Sequence, residues 1–179
     1  MDKTKLLVVV DMQNDFINGP LGSCAAREIV EKVCEKIDSW DGYVLYTYDT
    51  HYEDYLETTE GKYIPVEHCI NKTSGWELTP EIAERFNKDS FRVYKNTFGS
   101  ADLANIISYL EVKSVQFVGV CTDICVVSNA IMARSIVPDV QISVDASCCA
   151  GTSPENHRAA LRVMHKCCID ILNDDSYDN

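Results

Sequence analysis

No apolar run in this 179-residue chain approaches the roughly 18–20 residues that a membrane-spanning helix needs. The first apolar stretch, "LLVVV", meets Asp11 after five residues. That is too short for the core of a secretory signal, and no small-residue cleavage site follows. These two absences point to the cytoplasm. Positive charge is also scarce: 16 Lys and Arg face 28 Asp and Glu, for a formal net charge of -12. Such a balance disfavours nucleic acid and anionic membrane as partners. A glycine-rich phosphate cradle is missing too. The turn after the first apolar run reads "DMQNDF", and without a P-loop or a dinucleotide fingerprint, nucleotide binding is discounted. Internal repeats and low-complexity linkers are likewise lacking.

What the chain has is alternation. "KLLVVV" (5–10), "YVLYTYD" (43–49), "FRVYK" (91–95), "SVQFVGV" (114–120) and "VQISV" (140–144) are short, apolar and rich in β-branched or aromatic residues, with a last candidate strand at 169–172. Continuous apolar runs of this length suit strands covered on both faces. Between them lie helical patterns. Ser23 is a candidate N-cap for 24–39, where Ile29, Val30, Val33, Cys34 and Ile37 recur at helical spacing. Ser100 is placed to cap a helix that turns Leu103, Ile106, Ile107 and Leu110 inward. A further helix is expected from about Cys125 to Ile136. Ser153 and Pro154 open a last one, with Leu161, Met164 and Cys168 on one face. The pattern predicts a mainly parallel sheet with helices on both sides. Residues 1–173 read as a single domain and 174–179 as an acidic tail.

Nine cysteines are present, an odd number that includes the adjacent pairs Cys148–Cys149 and Cys167–Cys168. Neighbouring cysteines bridge poorly, and without a secretory signal most are expected to be reduced, buried and inert. Position singles out two of them. Cys121 and Cys125, in "VGVCTDICVVSNA", lie where a strand runs into a helix, and a helix N-terminus or a nearby cation favours the thiolate. The free N–H groups of such a turn suit the oxyanion of an attacked carbonyl. Cys125 is therefore the better nucleophile, and Cys121 the better source of a backbone N–H.

Taken singly, each candidate has a plainer reading: cysteine as core filling, Asp11 as a turn former, Lys95 as a solvated lysine. Their shared position changes the balance. Asp11, Asp49, His51, Lys95 and the Cys121–Cys125 segment all fall at predicted carboxyl ends of strands, where parallel sheets bind ligands. An acid, a cation and a thiol on one rim make a base-assisted nucleophile. The long irregular stretch from His51 to Thr79 adds Glu60 and His68, and loops of that length are usually functional. With Asp49 and His51 these residues form a carboxylate–imidazole set suited to zinc, iron or manganese.

"VVVDMQNDF", "KNTFGSADL", "VGVCTDICVVSNAIMAR" and "VDASCCAGTSPENHRAAL" resemble, in order and over nearly the whole chain, the blocks of the isochorismatase-like cysteine hydrolases, which include nicotinamidases. The resemblance implies a three-layer α/β/α sandwich, in agreement with the alternation. It also implies a catalytic triad of Asp11, Lys95 and Cys125, a cis peptide between Val120 and Cys121, and an oxyanion held by the N–H groups of Cys121 and Cys125. The implied metal ligands are Asp49, His51 and His68. Glu60 is selected as the fourth by "EGKYIPVEH", with Glu57 and Glu53 as rivals. One divalent ion follows, zinc first, with iron or manganese as alternatives. Phe16 and Trp76 are the implied substrate-packing aromatics, with Tyr55 behind them, while His157 and His165 are left to the surface or packing of the last helix. The sequence departs from the family at Ile64, where an aromatic residue is usual, and by one extra residue in "PVEHC". The leading expectation is a metal-assisted cysteine amidase converting nicotinamide to nicotinate and ammonia. The alternatives are a hydrolase of another small amide or carbamoyl compound, and a catalytically silent metal-binding or interaction domain. Apolar helix faces permit a homo-oligomer without demanding one.

Overall fold

The structure is a computed structural model that describes residues 2–174; apart from Asp174, the expected acidic tail lies outside the described residues. Six strands form one all-parallel sheet: β1 (Lys5–Val10), β2 (Tyr43–Asp49), β3 (Phe91–Lys95), β4 (Ser114–Val120), β5 (Gln141–Ala150) and β6 (Asp170–Leu172), in the spatial order β3-β2-β1-β4-β5-β6. β1 shows why a parallel sheet reads as an unbroken apolar run. Leu6, Val8 and Val10 enter one core while Leu7 and Val9 enter the other, and all five are fully buried.

Helices cover both faces. On the Leu7/Val9 side, α1 (Cys24–Ser39) buries Ala26, Ile29, Val33, Cys34 and Ile37, and its first turn is capped by Ser23, whose Oγ accepts the Ala26 N–H at 3.0 Å. Such a cap stabilises by about 1 kcal/mol. Val30 is only half-buried. On the other side pack α2 (Ala101–Tyr109), α3 (Val127–Ile136) and α4 (Pro154–Lys166), through Leu103, Ile107, Ala130, Ala133, Leu161 and Met164. The result is the expected three-layer α/β/α sandwich. Among the described residues no helix is long and apolar enough to cross a membrane.

Three local expectations are corrected. β5 continues to Ala150 instead of stopping at Val144, because a register shift between Phe117 and Gly119 lets Cys149 and Ala150 rejoin β4. The helix expected from Cys125 is preceded by a wide π turn at Thr122–Val126, in which the Val126 N–H reaches back to the Cys121 carbonyl at 3.1 Å. Cys168 does not share the buried face of Leu161 and Met164. It is exposed just past the end of α4, with φ at +61°.

One buried ion pair ties the first helix to the far half of the sheet. Asp145, fully buried on β5, takes the Lys36 ammonium at 2.6 Å, the Ser147 hydroxyl at 2.7 Å and the Asn173 amide at 3.0 Å. Burial alone would raise the Asp145 pKa, but these donors hold it below its ordinary value. Its stabilisation is therefore present above the unfolded carboxylate pKa and lost as pH falls through the folded one. Lys36→Met is expected to lower the unfolding free energy by about 1–3 kcal/mol, read as a shift in urea midpoint at pH 7.

Candidate active site and metal cluster

Strand order reverses between β1 and β4, and the crevice beyond the carboxyl ends of these strands is where such sheets bind ligands. Asp11 follows β1 and the Cys121–Cys125 turn follows β4. Gly119 allows the two strand ends to close up. Its φ is +116°, and a Cβ there would lie 2.2 Å from the Val10 carbonyl oxygen. The peptide joining Val120 to Cys121 is cis, at the position the resemblance implied.

Lys95 arrives from the edge of the sheet, in register with Asp49 on the neighbouring strand. Its ammonium lies 2.7 Å from Asp11 Oδ2, 3.2 Å from Asp49 Oδ1 and 3.5 Å from Cys125 Sγ. All four residues are buried, so charge interactions here are stronger than on the surface. Desolvation works against the Lys95 cation, yet Asp11, Cys125 and Asp49 together raise its pKa well above the ordinary lysine value. For Asp11, burial is the largest influence and outweighs Lys95, leaving the carboxyl more basic than usual. Burial likewise pushes the Cys125 thiol well up, against the pull of Lys95. Burial thus works against the standing thiolate that a helix N-terminus alone would favour and makes the Asp11 carboxyl a better proton acceptor than usual.

The second constellation adjoins the first through Asp49. Its Oδ1 faces Lys95, while its Oδ2 lies 2.8 Å from His51 Nε2 and 3.3 Å from His68 Nε2. Glu60 Oε1 lies 3.4 Å from His51 Nε2 and 3.9 Å from His68 Nε2. One donor atom from each of these four residues falls within 4.8 Å of the others. Glu53 and Glu57 are exposed and lie outside the cluster. His68 Nδ1–H donates to the Val66 carbonyl at 2.8 Å, which leaves Nε2 with its lone pair directed at the group. Two imidazoles and two carboxylates brought together this closely fit a divalent ion.

The loop that carries this cluster is held by residues whose roles were not legible from sequence. Thr58 caps the short helix Thr59–Tyr63 that presents Glu60. Gly61 fits there because a Cβ would come 2.1 Å from the Tyr55 carbonyl oxygen. Within "DMQNDF", Gln13 accepts the Asp49 N–H at 2.7 Å and donates to the carbonyls of Asp49 and Trp76, each at 2.8 Å. Asp15 accepts the Cys69 N–H at 2.8 Å, anchoring the strand-like stretch beside His68. That six-residue turn thus supplies one reactive group and two anchors for the other constellation.

A cavity of about 490 Å³ opens over both constellations, within the roughly 300–1,000 Å³ range of small-molecule sites. Asp49, Glu60, His68, Cys121 and Cys125 line it, with Phe16, Ile64, Phe98 and Ile124 as apolar walls. Phe16 meets His68 edge-on at 5.4 Å. Trp76, the other expected packing aromatic, is not among the residues that line this cavity. Its indole N–H donates to Thr50 at 2.9 Å and its ring stacks on Tyr94 at 5.7 Å. Tyr55 packs behind His51 and His68, at 4.5 and 5.0 Å, and donates to the Ile64 carbonyl. Phe98 was missed, although it sits in the "NTFGS" turn immediately after Lys95. His157, set aside as surface or packing, pairs with Thr122 at 2.8 Å, against the π turn.

The sequence model of the Isochorismatase domain matches residues 5–176. The chain belongs to the isochorismatase family. Within that family it is 27% identical, over 94% of this chain and 92% of the other, to the nicotinamidase of Schizosaccharomyces pombe. It is 28% identical to the nicotinamidase/pyrazinamidase of Mycobacterium tuberculosis, over 94% of this chain and 98% of the other. Among solved structures, the pyrazinamidase of Pyrococcus horikoshii in complex with zinc aligns with a TM-score of 0.84 and 27% identity, over 96% of this chain and 99% of that one. The layers and sheet order described above are thus those of an isochorismatase-family fold.

Proposed function

We propose that this isochorismatase-family member is an amide hydrolase, a metal-assisted cysteine amidase that converts nicotinamide and water into nicotinate and ammonia through a thioester. The observation that carries the reading is the Lys95 ammonium set between Asp11 at 2.7 Å and Cys125 at 3.5 Å, beneath a cavity with largely apolar walls. Similarity to the nicotinamidases supports the choice of substrate.

In this mechanism Sγ of Cys125 attacks the amide carbonyl as its proton passes to Asp11. Lys95 stays protonated and balances the charge as it moves between the two. The backbone N–H groups of Cys121 and Cys125, at the start of the helical turn, take the oxyanion. Asp11 then gives its proton to the departing nitrogen, ammonia leaves, and the acyl group remains on sulfur. A water that gives one proton to Asp11 attacks the thioester, Asp11 returns that proton to the Cys125 sulfur, and the acid leaves and gives up its remaining proton to solvent. Asp49, His51, Glu60 and His68 would hold a divalent ion, zinc first, which would supply a Lewis acid for binding and orienting the substrate. Phe16 packs against the ring. The nine free thiols suit a reducing compartment, and the reading sets the enzyme in the cytoplasm.

A second reading, a hydrolase of another small amide, draws on Ile64, an aliphatic wall residue of the cavity where the family usually has an aromatic ring. Ammonia release measured across nicotinamide, pyrazinamide and small aliphatic amides separates the two. Release from nicotinamide is expected. Release only from another amide transfers the assignment to the second reading, and no release from any metal-loaded sample ends both.

The metal ligands are tested without turnover. His68→Ala removes a ligand outright, so zinc affinity is expected to fall by more than the about 10–100-fold typical of changes around a metal site's ligands. Competition against a chromogenic chelator reads the loss, and unchanged affinity removes His68 from the set.

A further inference from the structure

Asp11 leaves β1 with φ at +49°, a left-handed conformation that residues other than Gly, Asn and Asp seldom adopt. Strand pairing does not hold it there, since the ladder between β1 and β2 ends with Val9 opposite Tyr46. What meets Asp11 is the next residue along β2, Thr47, which is fully buried. Thr47 Oγ1 accepts the Asp11 N–H at 3.1 Å and donates to Asp11 Oδ1 at 2.6 Å. One hydroxyl thus ties down both the backbone and the carboxyl of the same residue.

The direction of these bonds is set by chemistry. A hydroxyl carries one hydrogen, and a carboxylate can only accept, so the Thr47 hydrogen goes to Oδ1 and a lone pair takes the N–H. The other oxygen, Oδ2, is held by Lys95 at 2.7 Å. With each oxygen assigned to a different partner, the carboxyl plane cannot rotate without breaking a buried hydrogen bond. Valine has nearly the same shape and suits a buried strand as well as threonine does, so packing alone gives no use for the hydroxyl.

We infer that Thr47 is a positioning residue for the reaction: its hydroxyl fixes the Asp11 carboxylate in the orientation that receives the Cys125 proton. The inference rests on the reading of Asp11 as the base. Thr47 touches neither substrate nor sulfur and acts entirely through Asp11.

The test uses the full-length, zinc-loaded protein with nicotinamide as substrate, in the forms Thr47→Val, Thr47→Ala, Thr47→Ser and Asp11→Asn. Either variant lacking the hydroxyl should lose about 10–100-fold in kcat with KM within about threefold, the signature of a group acting on the chemical step. Thr47→Ser should stay within about threefold of the parent in both constants. A second readout needs no substrate: the rate at which iodoacetamide alkylates Cys125, followed by peptide mass spectrometry, should fall in the valine or alanine form and recover in the serine form. A merely structural role would lower the melting temperature and leave kcat and alkylation unchanged. If valine prevents folding, alanine supplies the hydroxyl-free form. Parent-level kcat without the hydroxyl overturns the inference, as does a serine variant impaired as deeply as valine. An inactive Asp11→Asn beside a fully active Thr47→Val overturns the role of Thr47 alone. An active Asp11→Asn overturns the reading of Asp11 and the inference with it.

Discussion

Cys125→Ala should reduce amide turnover by about 10⁴-fold or more, the scale seen when the nucleophile of a hydrolytic triad is removed. At room temperature that is about 5.5 kcal/mol of lost transition-state stabilisation. The fold should survive. Asn129 holds the Cys125 carbonyl, at 2.8 Å, rather than the side chain, and the smaller residue leaves the Lys95–Asp11 pair in place. Zinc affinity should also survive, because Sγ is not among the four clustered donors. The neighbouring cysteine is the control. Cys121 is proposed to act through its main chain, whereas the Lys95 ammonium is set against the Cys125 sulfur, at 3.5 Å. Cys121→Ala is therefore expected to keep activity within about tenfold of the parent. Ammonia release at saturating substrate measures both, and parent-level turnover in Cys125→Ala removes the assignment.

Lys95→Met should damage activity and stability together, because a single ammonium serves two buried carboxylates and the sulfur. Removing one partner of a buried ion pair typically costs about 3–5 kcal/mol. The pH dependence carries the sign. The folded Lys95 pKa is raised, so its stabilisation is complete below the unfolded lysine value of about 10.4 and is lost as pH rises through the folded one. For Asp49, burial would raise the pKa, but the Lys95 ammonium, with His51 beside it, holds it far below the ordinary range. Its stabilisation is present above the unfolded value of about 3.9 and is lost as pH falls through the folded one. The deficit of the variant, read from urea midpoints, should therefore be largest between these limits and shrink outside them.

Asp11 shifts the other way. Burial has already raised its pKa, so the acid limb of kcat/KM in the parent should lie above the ordinary carboxylate range, since the base must be ionised to act. Without Lys95 the carboxyl rises further, and the acid limb of any residual activity should move to higher pH. An acid limb that stays put would separate Asp11 from the proton transfer.

Much of the architecture was legible because each part is written locally. β1 is apolar at every position after Lys5 because helices cover both faces of the sheet. The Ser23, Ser100 and Ser153 caps were readable because each bonds an N–H three residues ahead. What was less legible turns on contacts that the local pattern does not state. The length of β5 depends on a register shift in β4. Trp76 sits in a polar loop, and only its contacts with Thr50 and Tyr94 fix where its ring lies. Glu53, Glu57 and Glu60 have similar surroundings in sequence, and the Thr58 cap and the tight approach at Gly61 decide which one turns inward.

Sequence by itself determined the chemistry on offer: an acid, a cation and a thiol at the carboxyl ends of three strands, and a carboxylate–imidazole group in one long loop. The tertiary structure alone decided how these share charge. It set Asp49 as the bridge between the two constellations, gave Gln13 and Asp15 their work as anchors, and buried Cys125 and Asp11 so that both pKa values rise. The physical reason is that residue identity and spacing specify donors and acceptors, whereas desolvation and the distance to an opposing charge exist only once the chain has closed around them.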